Sequence, residues 1–329
     1  MFFGQELINH QLNVSSLEED EEFNIAYGAD DEFMFGAGVS IESVIINNKD
    51  KRIHFHIFTD DISEGNKRRL LLLCQNHRVA ISIYSVNTDF IRTLPSNNSW
   101  NYTIYFRLII ADYFTHKLSK ILYLDADVFC NRGLSDLMSL DLKGYTVAAV
   151  RDPSITHIIN IDKVFSTRFT QVGYFNSGVM LINLDEWSKY DITKKSMDIL
   201  TDDSVVNTLT YYDQDAINIA TCETVLFIDD RYNYIIDLNY KYKCCDNLAK
   251  KKAALFHFVG LTKPWHAWSK FYDECEPFRL AKESSPWCNE PLIKPKTKYN
   301  YKYAAKHNKY NKNFIRSFYS YIKYKISDV

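Results

Sequence analysis

The amino-acid pattern predicts an α/β protein, a mainly parallel sheet covered by helices, with a small helical and basic appendage at the C-terminal end. Three observations carry this. Short apolar runs rich in Val, Ile, Phe and Tyr alternate with amphipathic stretches along most of the chain, the signature of parallel strands joined by crossover helices. Acidic residues follow those runs at Asp30 and Asp31, Asp60 and Asp61, Asp125 and Asp127, Asp152, and Asp229 and Asp230; in such sheets ligands gather at the carboxyl ends of the strands. With 329 residues, 46% hydrophobic and 24% charged, the chain can bury about three quarters of its unfolded surface, which excludes a disordered or fibrous protein.

Taken in order, strands are expected at 23–28, 53–59, 80–86, 120–124, 146–150, 178–184, 224–228 and 254–258, where β-branched and aromatic residues concentrate. Helices are expected near 36–47, 63–76, 103–114, 185–200 and 214–221, where apolar residues recur at helical spacing. Before residue 23 the sequence offers the acidic run Glu18-Glu19-Asp20-Glu21-Glu22, and 1–22 reads as an acidic extension.

The formal charge of −2 is unevenly placed. Residues 294–329 carry ten Lys or Arg against the single acid Asp328, so the tail is +9 and the remainder −11. A basic end on an acidic body points to an anionic partner. The ten bases are interleaved with Tyr299, Tyr301, Tyr303, Tyr310, Phe314, Phe318, Tyr319, Tyr321 and Tyr324, a mixture suited to the cytoplasmic face of a membrane. Nucleic acid is not expected, since no DNA- or RNA-binding motif accompanies the bases. The alternative is a solvated helical pair packed on the main domain. If the tail is a separable anchor, its deletion after Lys294 should reduce vesicle association in a salt-sensitive way and leave ligand binding by the main domain intact.

The seven cysteines are scattered and contain no Cys-x-x-Cys pair, so neither a disulfide framework nor a zinc knuckle is indicated. No secretory signal and no membrane-spanning run of about 18 apolar residues is present; a cytoplasmic location is expected.

Four constellations carry chemistry. An apolar strand ends in Asp125-Ala126-Asp127; residues i and i+2 of an extended segment point the same way, so two carboxylates can reach one cation, for which hard oxygen ligands favour Mg²⁺ or Mn²⁺. His257 lies among apolar neighbours and, alone, reads first as a hydrogen-bonded core histidine; Gly260 beyond it permits close backbone approach, and Lys263 offers a charge for phosphate. Asn176 and Gly178 open a buried strand, where the amide can reach a sugar hydroxyl or simply make a turn. Asp213-Gln214-Asp215 precedes a helical pattern, where acids also serve as first-turn residues.

Together, Ala26-Tyr27-Gly28-Ala29-Asp30-Asp31, Tyr105-Phe106-Arg107-Leu108, Leu122-Tyr123-Leu124-Asp125-Ala126-Asp127, Phe175-Asn176-Ser177-Gly178, Asp213-Gln214-Asp215 and His257-Phe258-Val259-Gly260-Leu261-Thr262-Lys263-Pro264-Trp265 resemble, in order, glycosyltransferase family 8, retaining enzymes that use a nucleotide sugar and a divalent metal. The segments 33–41 and 99–107, with Ser284-Ser285-Pro286-Trp287 and Tyr303-Ala304-Ala305-Lys306-His307, are similar to bacterial lipopolysaccharide core α-1,3-hexosyltransferases. The resemblance implies a glycosyltransferase A-type fold, a UDP-sugar-binding catalytic domain at 23–280 and a basic, aromatic helical domain at 281–329. It implies Mn²⁺ or Mg²⁺ on Asp125, Asp127 and His257, phosphate contacts at Gly260 and Lys263, and uracil at Asp30 and Phe33, with Asp31 also among the nucleotide-binding residues. Arg107, Asp152, Asn176, Asp213 and Gln214 would line the donor sugar, from UDP-galactose or UDP-glucose. The acceptor it implies is a glucose of the lipopolysaccharide core at the inner membrane. The alternatives are an α-1,2-glucosyltransferase acting later on the same core and, from a competing class, a noncatalytic UDP-sugar or glycan-binding module on the same fold.

Overall fold

The computed structural model describes residues 2–15, 23–97, 100–152, 157–240 and 252–326; the acidic run 18–22 and the pair Cys244 and Cys245 lie outside these. The apolar runs become strands β2 (Phe23–Gly28), β3 (Ile53–Thr59), β4 (Val79–Val86), β5 (Lys120–Leu124), β7 (Val147–Arg151), β8 (Phe175–Asn183) and β9 (Val225–Phe227). With β1 (Ile8–Ser15) they form an eight-stranded sheet in the order β1-β4-β3-β2-β5-β8-β7-β9. Its pairings β4 with β3, β3 with β2, β2 with β5 and β7 with β9 are parallel, so the mainly parallel reading holds. Each face carries its own hydrophobic cluster.

Three differences from the sequence reading have physical causes. β1 was not expected: INHQLNVS has a largely polar composition, and what makes it a strand is antiparallel pairing to the free edge of β4, with Leu12 and Val14 packed on the core. The stretch 185–200 is two helices, Leu184–Lys189 and Ile192–Leu200, because Asp191 takes a left-handed φ of 52° between them. Most consequential, β8 runs antiparallel to both neighbours. In an all-parallel sheet its start would lie at the edge opposite the carboxyl end of β5; reversal brings Asn176, Ser177 and Gly178 to that end, where the Asp125 amide donates to the Gly178 carbonyl at 2.9 Å.

A smaller sheet adds the remaining wall. β6 (Val128–Cys130), β10 (Tyr234–Asp237) and β11 (Leu255–Val259) form it in the order β10-β11-β6. β6 leaves β5 through Asp125 and Asp127 and pairs antiparallel with β11, setting Val128 opposite His257. Helix Met34–Asn47 is buried from Met34 to Ile45, as a helix enclosed on several sides must be.

The C-terminal region comprises helices Glu276–Ser284, Lys298–Tyr310 and Phe314–Ile326. The last two pack on each other, the first of them starting from a capping box made by Thr297 and Asn300. Helix Phe314–Ile326 buries only Ser320, leaving Ile315 86% and Phe318 66% exposed. No helix among the described residues is long and apolar enough to cross a membrane.

Candidate active site

β5 ends and β6 begins around two carboxylates, and β11 brings an imidazole to them. Ligand atoms of Asp125, Asp127 and His257 all lie within 4.8 Å of one another; His257 Nε2 is 3.3 Å from Asp127 Oδ1 and 3.8 Å from Asp125 Oδ2. Asp127 and His257 are buried, and Asp127 Oδ1 has no hydrogen-bond partner. Such an oxygen is costly unless something positive meets it.

The histidine is held in the tautomer a cation needs. Its Nδ1 lies 2.9 Å from the Asn233 amide oxygen, so Nδ1 carries the proton and Nε2 keeps its lone pair toward the carboxylates. Asn233 is itself oriented by donating to Asn176 Oδ1 at 2.9 Å. Two carboxylates and one neutral imidazole form a donor set that fits Mn²⁺ or Mg²⁺. Lys263 donates to Asp127 Oδ2 and, at 2.8 Å, to the Phe258 carbonyl. Burial alone would raise the Asp127 pKa, but the Lys263 ammonium beside it outweighs burial and holds the carboxyl well below the usual range.

Arg107, buried on helix Phe106–Phe114, ties this cluster to the neighbouring sugar-side residues. It donates to Asp125 Oδ1 at 2.9 Å and to Ser177 Oγ, and its Nε is 3.1 Å from Asp213 Oδ2. Burial pushes the Asp213 carboxyl up to about 7 against the pull of Arg107. Gln214 Oε1 accepts from Ser177 N at 3.0 Å, and its amide donates to Asp152 Oδ2 at 3.2 Å. Asn176 donates to the same Asp152 oxygen, also at 3.2 Å. Asp152, Asn176 and Gln214 therefore share one hydrogen-bonded network that Ser177 joins to Arg107, and Asp213 is tied to it by its ion pair with Arg107.

The expected base-side residues divide. Phe33 is 38% exposed and meets Trp265 edge-on at 5.8 Å, a face available for stacking. Asp30 accepts from the Phe33 amide at 2.9 Å. Asp31 is instead committed to bracing: its Oδ1 accepts from Ser63 N, Ser63 Oγ and Asn66 Nδ2. Gly260 has a φ of 78°, a left-handed turn that glycine permits at little cost. The acids at other strand ends do not join a common cleft cluster, for Asp60 pairs with Arg92 and Tyr102, and Asp229 caps a short turn.

Sequence reasoning missed Asn233 and the steric role of Gly178. Asn233 stands just before β10 (Tyr234–Asp237), a strand too short to flag, and becomes meaningful only when β10 pairs with β11. A β-carbon at Gly178 would lie 2.3 Å from His257 Cε1 and 2.7 Å from Asp125 Oδ2, so the strand passes directly against the ligand side chains.

A mixed sheet with Asp125, Asp127 and His257 gathered at the end of β5 has the A-type glycosyltransferase fold. Solved structures agree: the galactosyltransferase LgtC, determined with donor and acceptor sugar analogs, matches with a TM-score of 0.66 and 26% identity over 80% of this chain and 96% of its own. The chain belongs to glycosyl transferase family 8, whose description matches residues 24–269, with the family 8 C-terminal description matching 272–327. It is 36% identical to the lipopolysaccharide 1,3-galactosyltransferase of Salmonella typhimurium strain LT2, over 98% of this chain and 97% of that one. It is 33% identical to the lipopolysaccharide glucosyltransferase WaaO of Escherichia coli K12, over 100% and 98%, and 34% identical to a lipopolysaccharide 1,2-glucosyltransferase of Escherichia coli, over 94% and 92%.

Proposed function

We propose that this protein transfers galactose, or glucose, from its UDP form to a glucose of the lipopolysaccharide core with retention of configuration, forming an α-1,3 linkage. The observation that carries the reading is the Asp125, Asp127 and His257 cluster with Lys263 on the same carboxylate, joined through Arg107 to the Asp152, Asn176, Asp213 and Gln214 network. Near full-length similarity to enzymes acting on lipopolysaccharide supports the acceptor class.

Asp125, Asp127 and His257 hold the divalent cation, which supplies Lewis-acid stabilisation of the charge that grows on the departing diphosphate. Lys263 stabilises the same charge as it develops. Phe33 stacks on the uracil and Asp30 binds it. Asp152, Asn176 and Gln214 fix the sugar, and Arg107 keeps Asp125 and Asp213 in place around it. Gln214 is a weak nucleophile whose oxygen is already engaged by Ser177, which favours attack by the acceptor on the same face the diphosphate leaves. The catalytic domain in this reading is 23–280, with β1 of the N-terminal segment completing its sheet, and 281–329 is the C-terminal domain.

The direct test offers UDP-galactose and UDP-glucose to core-truncated lipopolysaccharide ending in glucose, with Mn²⁺ and with a chelator. Transfer from one donor, lost with chelator, is the expected result, and linkage analysis separates α-1,3 from the α-1,2 product of the 1,2-glucosyltransferase relatives. UDP binding without transfer to any core acceptor would instead favour the noncatalytic module.

The acceptor is lipid-borne, and we propose that the exposed face of helix Phe314–Ile326 rests on the cytoplasmic surface of the inner membrane. Ile315 and Phe318 are exposed beside Arg316, Lys323 and Lys325, so apolar insertion and attraction to anionic lipid act together. Replacing Ile315 and Phe318 by Ser should weaken binding to vesicles containing anionic phospholipid by about tenfold or more. Binding equal to wild type would reject this surface.

A further inference from the structure

We propose that His307, far along the chain in the C-terminal helix Lys298–Tyr310, is a positioning residue for the diphosphate loop that carries Gly260 and Lys263. The proposal rests on the reading of that loop given above. His307 is only 5% exposed and bridges two elements. Its Nδ1 is 2.5 Å from the Tyr272 hydroxyl, and its Nε2 is 3.2 Å from Thr262 Oγ1. Thr262, fully buried between Gly260 and Lys263, donates its own proton to Asn239 Oδ1 at 2.8 Å and accepts from Trp268 Nε1 at 3.3 Å. One proton arrangement satisfies the chain: Tyr272 donates to Nδ1, Nε2–H donates to Thr262, and Thr262 donates to Asn239.

The route continues to the turn itself. The Asn239 backbone N–H donates to Asp237 Oδ1 at 2.8 Å, and Asn239 and Asp237 are the side chains nearest the place a β-carbon on Gly260 would take, at 3.2 and 3.3 Å from it. The turn that aims Lys263 is thus fixed from behind by a residue about forty-five positions away, and 281–329 is not separable from the donor site. On this proposal, deletion after Lys294 would weaken nucleotide binding rather than spare it.

The test titrates UDP with Mn²⁺ into His307→Leu, His307→Gln, Tyr272→Phe and, as a control, Ser317→Ala, which loses the Ser317 bond to the Ala305 carbonyl between the two terminal helices without touching the loop. His307→Leu should weaken UDP binding about tenfold and raise the UDP-hexose KM by a similar factor, the usual effect of one buried hydrogen-bonding group. Acceptor KM should stay within twofold. Tyr272→Phe should move the same constants less, His307→Gln should recover part of the loss through its amide, and Ser317→Ala should match wild type. If His307→Leu fails to fold, the Gln and Phe variants carry the comparison. UDP affinity unchanged in His307→Leu, or in both remaining variants should it not fold, would overturn the proposal, as would an equal loss in Ser317→Ala. Wild-type protein that binds UDP but transfers no hexose would defeat the proposed reaction while leaving this comparison readable; wild-type protein that binds no UDP would overturn both.

Discussion

Asp127→Ala should lower the rate of hexose transfer by about a thousandfold or more, the scale on which removal of a directly acting electrostatic group reduces turnover. Asp127 is the carboxylate that most of the site depends on. It is 7% exposed, its Oδ1 lacks a hydrogen-bond partner, and its Oδ2 receives Lys263. Truncation therefore removes a proposed cation ligand and also leaves the Lys263 ammonium, itself partly buried, without its carboxylate. The second effect destabilises the fold as well as the reaction, so Asp127→Asn, which keeps the shape and a hydrogen-bond acceptor, is the sharper variant. Both should lose transfer, and UDP binding in the Asn variant should no longer respond to Mn²⁺. Circular dichroism and a melting curve establish that the Asn protein is folded. Turnover at the wild-type level in a folded Asp127 variant would end the assignment of the cluster as the metal site.

The parts of this site that were legible in the sequence are those encoded locally. Asp125 and Asp127 are two residues apart at the end of an apolar run, and their spacing alone brings them together. His257 reaches the two carboxylates only because β6 and β11 pair antiparallel with Val128 opposite His257, a register no local pattern contains. Asn233 is further removed still, since it acts by fixing the His257 tautomer through a strand pair of four residues. The sheet was legible where strands are apolar and buried on both faces, as β2, β3 and β5 are. β1 was not, because an edge strand needs little apolar surface and reads as polar chain. Asp31 shows what a motif leaves out: Ser63 and Asn66 take up its Oδ1, a bracing that depends on the packing of the next helix and not on the motif. Motif membership identified the neighbourhood of each residue, and packing decided its task.

Gly178→Ala should be nearly as damaging as loss of a ligand, although it removes no functional group. Gly178 lies within β8, buried, and it is not among the residues with positive φ. The backbone there accepts any residue, and strand propensity by itself would favour a side chain. What forbids one is the site: the new β-carbon would fall 2.3 Å from His257 Cε1, 2.9 Å from His257 Nε2 and 2.7 Å from Asp125 Oδ2. Relief requires the imidazole or the Asp125 carboxylate to move by something near 1 Å. His257 is anchored by Asn233, and Asp125 by Arg107 and Tyr123, so displacing either disrupts a hydrogen bond that orients it. A misplacement of that size typically costs about a hundredfold in rate. The expected outcome is a hundredfold or greater loss of transfer and an increased Mn²⁺ requirement, with overpacking lowering stability by about 1–3 kcal/mol. Gly65→Ala is the matched control, since a β-carbon there meets nothing within 4 Å, and it should transfer hexose as the wild type does. A Gly178→Ala protein with wild-type rate and Mn²⁺ dependence would mean that His257 and Asp125 need not sit together for the reaction, and the three-ligand assignment would fall with it.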